Sequence, residues 1–192
     1  MFFAQRPSRE AIDRFVRDSQ DLPISYGPIG IVNGETPCRD LDEATVTIGR
    51  GRTDFQRART ALTAWKQFDI GWVEVVPRHA PVEVGTVVAV LIRHLGFWSL
   101  NGCRVLYTVG GDGRFGFAYG TLTNHAESGE ELFEVRLNPE NDDVTYRIRA
   151  TSRPQAVLTR IGQPIVRRLQ ARFRHDSASV MKRAMQESGA QL

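Results

Sequence analysis

One run of the chain, Gly116–Phe133 (GFAYGTLTNHAESGEELF), places a histidine and carboxylates at spacings suited to acid–base chemistry: His125, Glu127 and Glu130. Residues two apart in an extended segment share a face, so His125 and Glu127 project together, and Glu130 opens the following strand. A carboxylate beside a neutral imidazole orients the ring and raises its basicity, the usual makings of a general base. Tyr119, in phase with Phe115 and Phe117, would bring a phenol to the same region. The same residues admit a plainer role. Glu127 and Glu130 can accept hydrogen bonds from loop amides, and His125 can cap the turn, as polar side chains around Gly-rich loops do. The spacing alone leaves both roles open.

Other chemistries find little support. His125-x-Glu127 with Glu130 would supply three metal ligands, but His79, His94 and His175 have no paired spacing, so neither a metal nor a cofactor is expected. Gly110-Gly111-Asp112-Gly113 lacks the lysine and the following helix of a phosphate-binding loop and reads as a hairpin turn. There is no G-x-S-x-G elbow. Cys38 and Cys103 make no disulfide framework, and Cys103, in a strand-like run, fits a small buried hydrophobe.

The elements that must position these residues follow from periodicity. An amphipathic helix opens at Pro7–Ser8 and runs to about Asp18, with Ile12, Phe15 and Val16 on one face. Leu22–Glu35 is a Gly- and Pro-rich loop. Ala44–Ile48 is a strand, and Phe55, Ala58, Leu62, Trp65 and Phe68 mark a helix from Arg52 or Thr53 to about Phe68. Six strands follow: Gly71–Val76, Thr86–Arg93, Trp98–Val109, Arg114–Leu122, Glu130–Leu137 and Val144–Thr151. Their alternation predicts antiparallel strands with one dry and one wetter face. A long helix from about Arg153 to Glu187 carries the stripe Leu158, Ile161, Ile165, Leu169 and Phe173, with Pro164 imposing a kink or restart. Trp72 and Trp98 open strands, near sheet ends where a cavity mouth would lie, whereas Trp65 fits the core. Arg104 shares a strand face with Leu106 and Thr108. On a concave face it would need Glu130 or Glu127 as partner; on a convex face it would meet solvent.

The order helix, strand, helix, six strands, long helix predicts an α+β fold: a seven-stranded curved antiparallel sheet gripping the C-terminal helix, with an extra N-terminal helix. On order alone this resembles the helix-grip architecture of the START and birch-pollen-allergen superfamily. The expected organisation is a single domain over 1–192, with the N-terminal helix within 1–20 and the C-terminal helix within 153–187.

Hydrophobic residues make up 41% and charged residues 24%, ordinary for a globular protein. The longest apolar stretch, Val87–Ile92, is far short of a membrane span, and MFFAQRPSRE lacks a secretory signal, so a cytoplasmic location is expected. The net charge of +3 is unevenly spread. Arg153, Arg160, Arg167, Arg168, Arg172, Arg174, Lys182 and Arg183 face only Asp176 over the same stretch. A basic helix suits nucleic acid or anionic lipid, but no nucleic-acid motif or interleaved aromatic accompanies it, and a solvated helix face explains it as well.

Two runs resemble a known family: FQRARTALTAWKQFDIGWVEV (Phe55–Val75), preceded by IGRG, and GFAYGTLTNHAESGEELF, followed by Ser152–Pro154 and by Gln170. Together they are similar to the bacterial and plant family catalogued as domain of unknown function nineteen-ninety, over roughly residues 20–175. The resemblance supports a helix-grip fold and supplies no reaction. It marks Tyr119, Gly120, Thr121, His125, Glu127, Gly129 and Glu130, with Trp65, Trp72, Arg153 and Pro154, as positions that matter for folding or chemistry. Ala126 stands where many members carry proline, and the stretch beyond Phe173 matches nothing in the family.

The leading expectation is a protein that binds a small hydrophobic or amphipathic molecule between sheet and helix. Tyr119, Trp72, Trp98, Arg104, Phe117 and Thr121 are its candidate contacts. The first rival is an enzyme of the same fold using His125, Glu127 and Glu130 for proton transfer. The second is a nucleic-acid or anionic-lipid binder acting through the Arg-rich helix, and a homodimer stays open.

Overall fold

A computed structural model describes residues 1–34, 40–154 and 163–187. Strand β1 (Phe2–Phe3) precedes α1 (Arg9–Asp18), β2 (Asp42–Arg50) and α2 (Gly51–Thr63). Then come β3 (Val73–Val76), β4 (Val87–His94), β5 (Phe97–Gly111), β6 (Arg114–Thr121), β7 (Glu127–Leu137), β8 (Asp143–Pro154) and α3 (Gln163–Glu187). The main sheet runs β2-β8-β7-β6-β5-β4-β3, the expected seven strands. Every pair is antiparallel. The two-residue β1 adds an eighth strand beside the start of β5, pairing Phe2 with Ser99 and Phe3 with Trp98.

The curved sheet holds α3 against its inner face, the helix-grip arrangement that the element order predicted. Two inner elements, not one, cover that face. Phe55, Ala58, Ala61 and Leu62 of α2 join Met181 and Met185 of α3 in a single core with Phe117, Phe133, Tyr146 and Ile148 of the sheet. Helix α2 stops before the predicted Phe68. Trp65 takes the left-handed conformation (φ 58°), and a 3₁₀ turn over Lys66–Phe68 follows. The indole sets this turn, since Trp65 Nε1 donates to the Ala80 carbonyl at 2.8 Å while its ring meets Phe117 edge-on at 4.7 Å.

The outer face is drier than alternation suggested. Helix α1, N-capped by Ser8 Oγ accepting from the Ala11 amide at 3.2 Å, lays Ile12, Phe15 and Val16 over Ala89, Leu91 and Leu100. Val32, from the loop before β2, covers Val109, Ala118 and Leu132. A bulge in β5, where the pairing steps from Val105↔Tyr119 to Tyr107↔Ala118, redirects one side chain. Cys103 and Val105 stay in the inner core, while Tyr107, predicted on their face, packs in the outer cluster.

The C-terminal region begins later than predicted. Arg153 and Pro154 end β8, paired with Ser128 and Glu127, instead of opening the helix. Pro164 lies in the first turn of α3, where its missing N–H costs nothing. Of the predicted stripe, Leu169 and Phe173 pack against the core, Ile165 is 43% exposed, and Leu158 and Ile161 lie outside the described residues. No helix among the described residues is long and apolar enough to cross a membrane.

Candidate functional site

The alternation of each strand decides what faces the interior. On β6, Phe117 and Tyr119 point inward and Gly116, Ala118 and Gly120 outward; on β7, Phe133 and Val135 point inward, and two residues earlier in phase with them is Glu131. Pairing Tyr119↔Glu131↔Ala150 sets these residues in one row across the sheet. Above that row α3 presents Leu169, Gln170, Phe173 and Arg174, whose spacing keeps them on one helical face. Between them lies a cavity of about 200 Å³ at one end of the half-barrel, bounded on its apolar side by Phe68, Trp72, Val90, Ile92, Leu169 and Phe173.

The polar side is made of several bonded groups. Tyr119 Oη donates to Glu131 Oε2 at 2.7 Å. Gln170 Nε2 donates to Glu127 Oε2 at 3.0 Å and to Ser152 Oγ at 2.8 Å, tying α3 to β7 and β8. The Glu127 amide donates to His125 Nδ1 at 2.9 Å, which makes Nδ1 an acceptor and leaves the proton of the neutral ring on Nε2. Arg174 pairs with Asp42 at 3.2 Å beside the cavity. Thr121 Oγ1 accepts from the Gly129 amide at 2.9 Å and exchanges a 2.6 Å bond with Ser25, closing the sheet end.

Burial governs the titration of these groups. It pushes the Glu131 carboxyl up to about 7, with Tyr119 and Arg174 opposing and Glu127 adding repulsion. Burial also raises Glu127, against the hydrogen bonds from Gln170 and Ser152. His125 is pulled down to about 4 by the same desolvation, so its imidazole is neutral at any ordinary pH. Tyr119 lies well above its ordinary value, held there by burial and by the Glu131 charge.

Trp72, Tyr119, Thr121, His125 and Glu127 therefore meet around one hollow. Trp72 Nε1 donates to Asp176 at 2.9 Å, fixing the indole at the rim. Glu130 also borders the hollow, but its carboxylate is directed away from it, and three further candidates sit elsewhere. Glu130 turns its carboxylate to the outer face, where it accepts from Tyr26 Oη at 2.5 Å, Tyr107 Oη at 2.6 Å and the Gly30 amide at 2.8 Å. It anchors the loop before β2, the amide-binding role that the sequence had left open. Arg104 is also on the outer side, donating to the Gln20 and Leu22 carbonyls at 2.6 and 3.0 Å. Trp98 packs with the α1 cluster, and Phe117 is fully buried in the inner core between Trp65 and Phe133.

Sequence reasoning passed over Glu131 and Arg174. The alternation that put Phe133 and Val135 on the dry face, continued by one step, would have chosen Glu131 over Glu130. Gly120 has a packing reason: a Cβ there would lie 2.6 Å from Leu106 Cδ1 and 2.7 Å from Tyr26 Oη, displacing the phenol that Glu130 holds. No group of three or more His, Cys, Asp or Glu among the described residues is placed to hold a metal ion. Cys103 is fully buried, and burial raises its thiol far above the ordinary value; Cys38 lies outside the described residues.

Solved structures share this architecture at low identity. A Thermus thermophilus protein, TTHA0849, superposes with a TM-score of 0.55 at 12% identity, covering 77% of this chain and 98% of its own. The di-domain ARO/CYC StfQ from the steffimycin biosynthetic pathway gives 0.52 at 8% identity, over 79% of this chain and 52% of that one. At these identities the likeness concerns the fold alone. Sequence relatives are nearer. A UPF0548 protein of Dictyostelium discoideum is 31% identical over 207 residues, 96% of each chain. A UPF0548 protein of Deinococcus radiodurans is 31% identical over 197 residues, covering 96% of this chain and 98% of that protein. The model of the family described as "Domain of unknown function (DUF1990)" matches residues 25–180, and the chain belongs to that family.

Proposed function

We propose that the protein binds a small molecule with an apolar body in the cavity under the first half of α3, and that Tyr119, His125, Glu127 and Glu131 engage its polar end. The observation that carries this reading is the unequal filling of the inner face. Phe55, Leu62, Trp65, Met181 and Met185 pack one end solid, while the other keeps a hollow of about 200 Å³ with aromatic walls and a titratable edge. Apolar walls with a few convergent polar groups are the usual makeup of a ligand site. The volume is below the range of roughly 300–1,000 Å³ typical of drug-sized ligands, which favours a compact molecule. Native mass spectrometry and displacement of an environment-sensitive dye test the reading. Dye binding should be lost in Leu169→Trp, which fills the hollow, with the melting temperature kept. A dye that binds wild type and Leu169→Trp equally would refute it.

One observation favours a second reading, an acid–base enzyme on the same scaffold. Glu131 faces the cavity with its carboxyl pushed up to about 7, where a group can both hold and release a proton in neutral solution. In that reading Glu131 takes the place given to Glu130, and His125 serves as a neutral N–H donor in place of a base. Turnover on a screened substrate should then vanish in Glu131→Gln and survive in Glu130→Gln. The Arg-rich helix gives less: Arg172 pairs with Asp176 while covering Trp72, and Arg174 pairs with Asp42.

A further inference from the structure

The charge balance of the cavity selects among small molecules. Of its acidic lining residues among those described, Glu130 turns its carboxylate away to Tyr26 and Tyr107, which leaves those of Asp42, Glu127 and Glu131 against the guanidinium of Arg174, already engaged by Asp42 at 3.2 Å. The carboxylates that face inward, Glu127 and Glu131, receive neutral donors: Gln170 on the first and Tyr119 on the second. Around them stand the rings of Phe68, Trp72 and Phe173, whose faces attract cations. Trp72 already shows this preference on one side, with the Arg172 guanidinium 4.8 Å from its ring centroid.

We infer that the preferred ligand is a protonated amine with a compact aromatic or aliphatic body, its ammonium seated between Glu131 and Glu127 and its apolar part against Phe68 and Phe173. This inference rests on the reading of the hollow as a ligand site and names the class of molecule it takes. An ammonium supplies the missing counter-charge. Glu131, which burial keeps partly protonated near neutral pH, then ionises, and the displaced proton leaves to solvent. A carboxylate ligand would meet repulsion from both, and a neutral alcohol would gain no charge pairing. His125, with its proton on Nε2, adds no positive charge to compete.

The groups that set the titration of Glu131 come from every wall. Tyr119 of β6 donates to it and Arg174 of α3 attracts it, while Glu127 of β7 repels it. Cys103 of β5 and Tyr146 of β8 lie within its field, and both stay protonated in neutral solution. Glu131 is thus the group whose ionisation changes across the neutral range, and affinity for a cation should follow it.

Three probes of one shape test this on the full chain by calorimetry: 2-phenylethylamine, 2-phenylethanol and phenylacetate. At about pH 8.5 the amine should bind roughly tenfold tighter than the alcohol and more tightly still than the acid. Near pH 5.5 its advantage should shrink to about threefold or less, because Glu131 is then protonated. Titrations at about pH 7 in buffers of different ionisation enthalpy should report net proton release on amine binding and none on alcohol binding. Glu131→Gln should lose the pH dependence of amine binding. Alcohol and amine binding alike at high pH, or a pH dependence unchanged in Glu131→Gln, would overturn the amine assignment and leave the ligand site standing. Failure of all three probes would remove both. The wild-type pH and buffer comparisons decide the matter if the variant does not fold.

Discussion

Glu130 and Glu131 are adjacent in β7 and serve opposite faces of the sheet: the first binds Tyr26 and Tyr107 on the outer side, the second binds Tyr119 beside the inner cavity. Two like residues thus have unlike duties, one holding a loop and the other facing a hollow. Replacing each should separate stability from ligand chemistry.

Glu130→Gln removes a charged acceptor shared by two phenols and the Gly30 amide, and should cost about 2 kcal/mol in urea unfolding near neutral pH. Glu131→Gln keeps an acceptor for Tyr119 and should change stability by less than about 1 kcal/mol near pH 5, where the native carboxyl is also uncharged. Equal losses in the two variants would refute the division of roles.

The pH dependence of stability should carry two opposed contributions. Glu131 rises from 4.5 to about 7 on folding, so the folded state keeps a proton that the unfolded chain gives up. Its contribution is complete below pH 4.5 and is lost as pH climbs to 7, by at most about 3 kcal/mol. His125 falls from 6.5 to about 4, so its contribution is present above pH 6.5 and is lost as pH drops to 4. In the window from 4.5 to 6.5 the two slopes oppose each other. Glu131→Gln should therefore show stability rising through that window, and His125→Asn should show it falling up to about pH 7. Parallel profiles in both variants would rule out this assignment.

Tyr119→Phe removes the phenol that stabilises the Glu131 anion and should push that carboxyl above about 7. The carbon-13 resonance of the Glu131 carboxyl, followed by NMR titration, reads this directly. A midpoint moving downward would contradict the geometry.

Gly120→Ala forces a methyl group against Leu106 and Tyr26. The expected cost is about 1–3 kcal/mol, with faster amide exchange at Gly30 and Val32, the residues whose amides Glu130 holds. Slower or unchanged exchange at those amides would show that the phenol is not displaced.

Much of this was legible in the sequence, and the exceptions have local causes. Strict alternation located β6 and β7, and Ser8 before an apolar period of three and four located α1. The bulge at Leu106 was not legible, because nothing in Val105–Tyr107 marks an extra residue, and it carried Tyr107 to the other face. The early end of α2 came from the indole of Trp65 finding the Ala80 carbonyl fifteen residues on, a tertiary contact that overrides helical spacing. Glu130 was chosen over Glu131 because strand β7 starts at Glu127, three residues before its predicted start, so the phase was not followed through the loop. The dry outer face depended on where Val32 and Ile12 would dock, which periodicity within the strands does not contain.

The two ends of α3 are secured very differently. Met181 and Met185 are rooted in the core and Ser177 bonds Tyr146 at 2.9 Å, whereas Leu169 and Phe173 roof a void. The tail of the helix seals the inner core, while its head, tied to β7 and β8 through Gln170, leaves space beneath it. Truncating Met181 or Met185 should therefore loosen the interior, whereas a change at Leu169 alters the space under the helix.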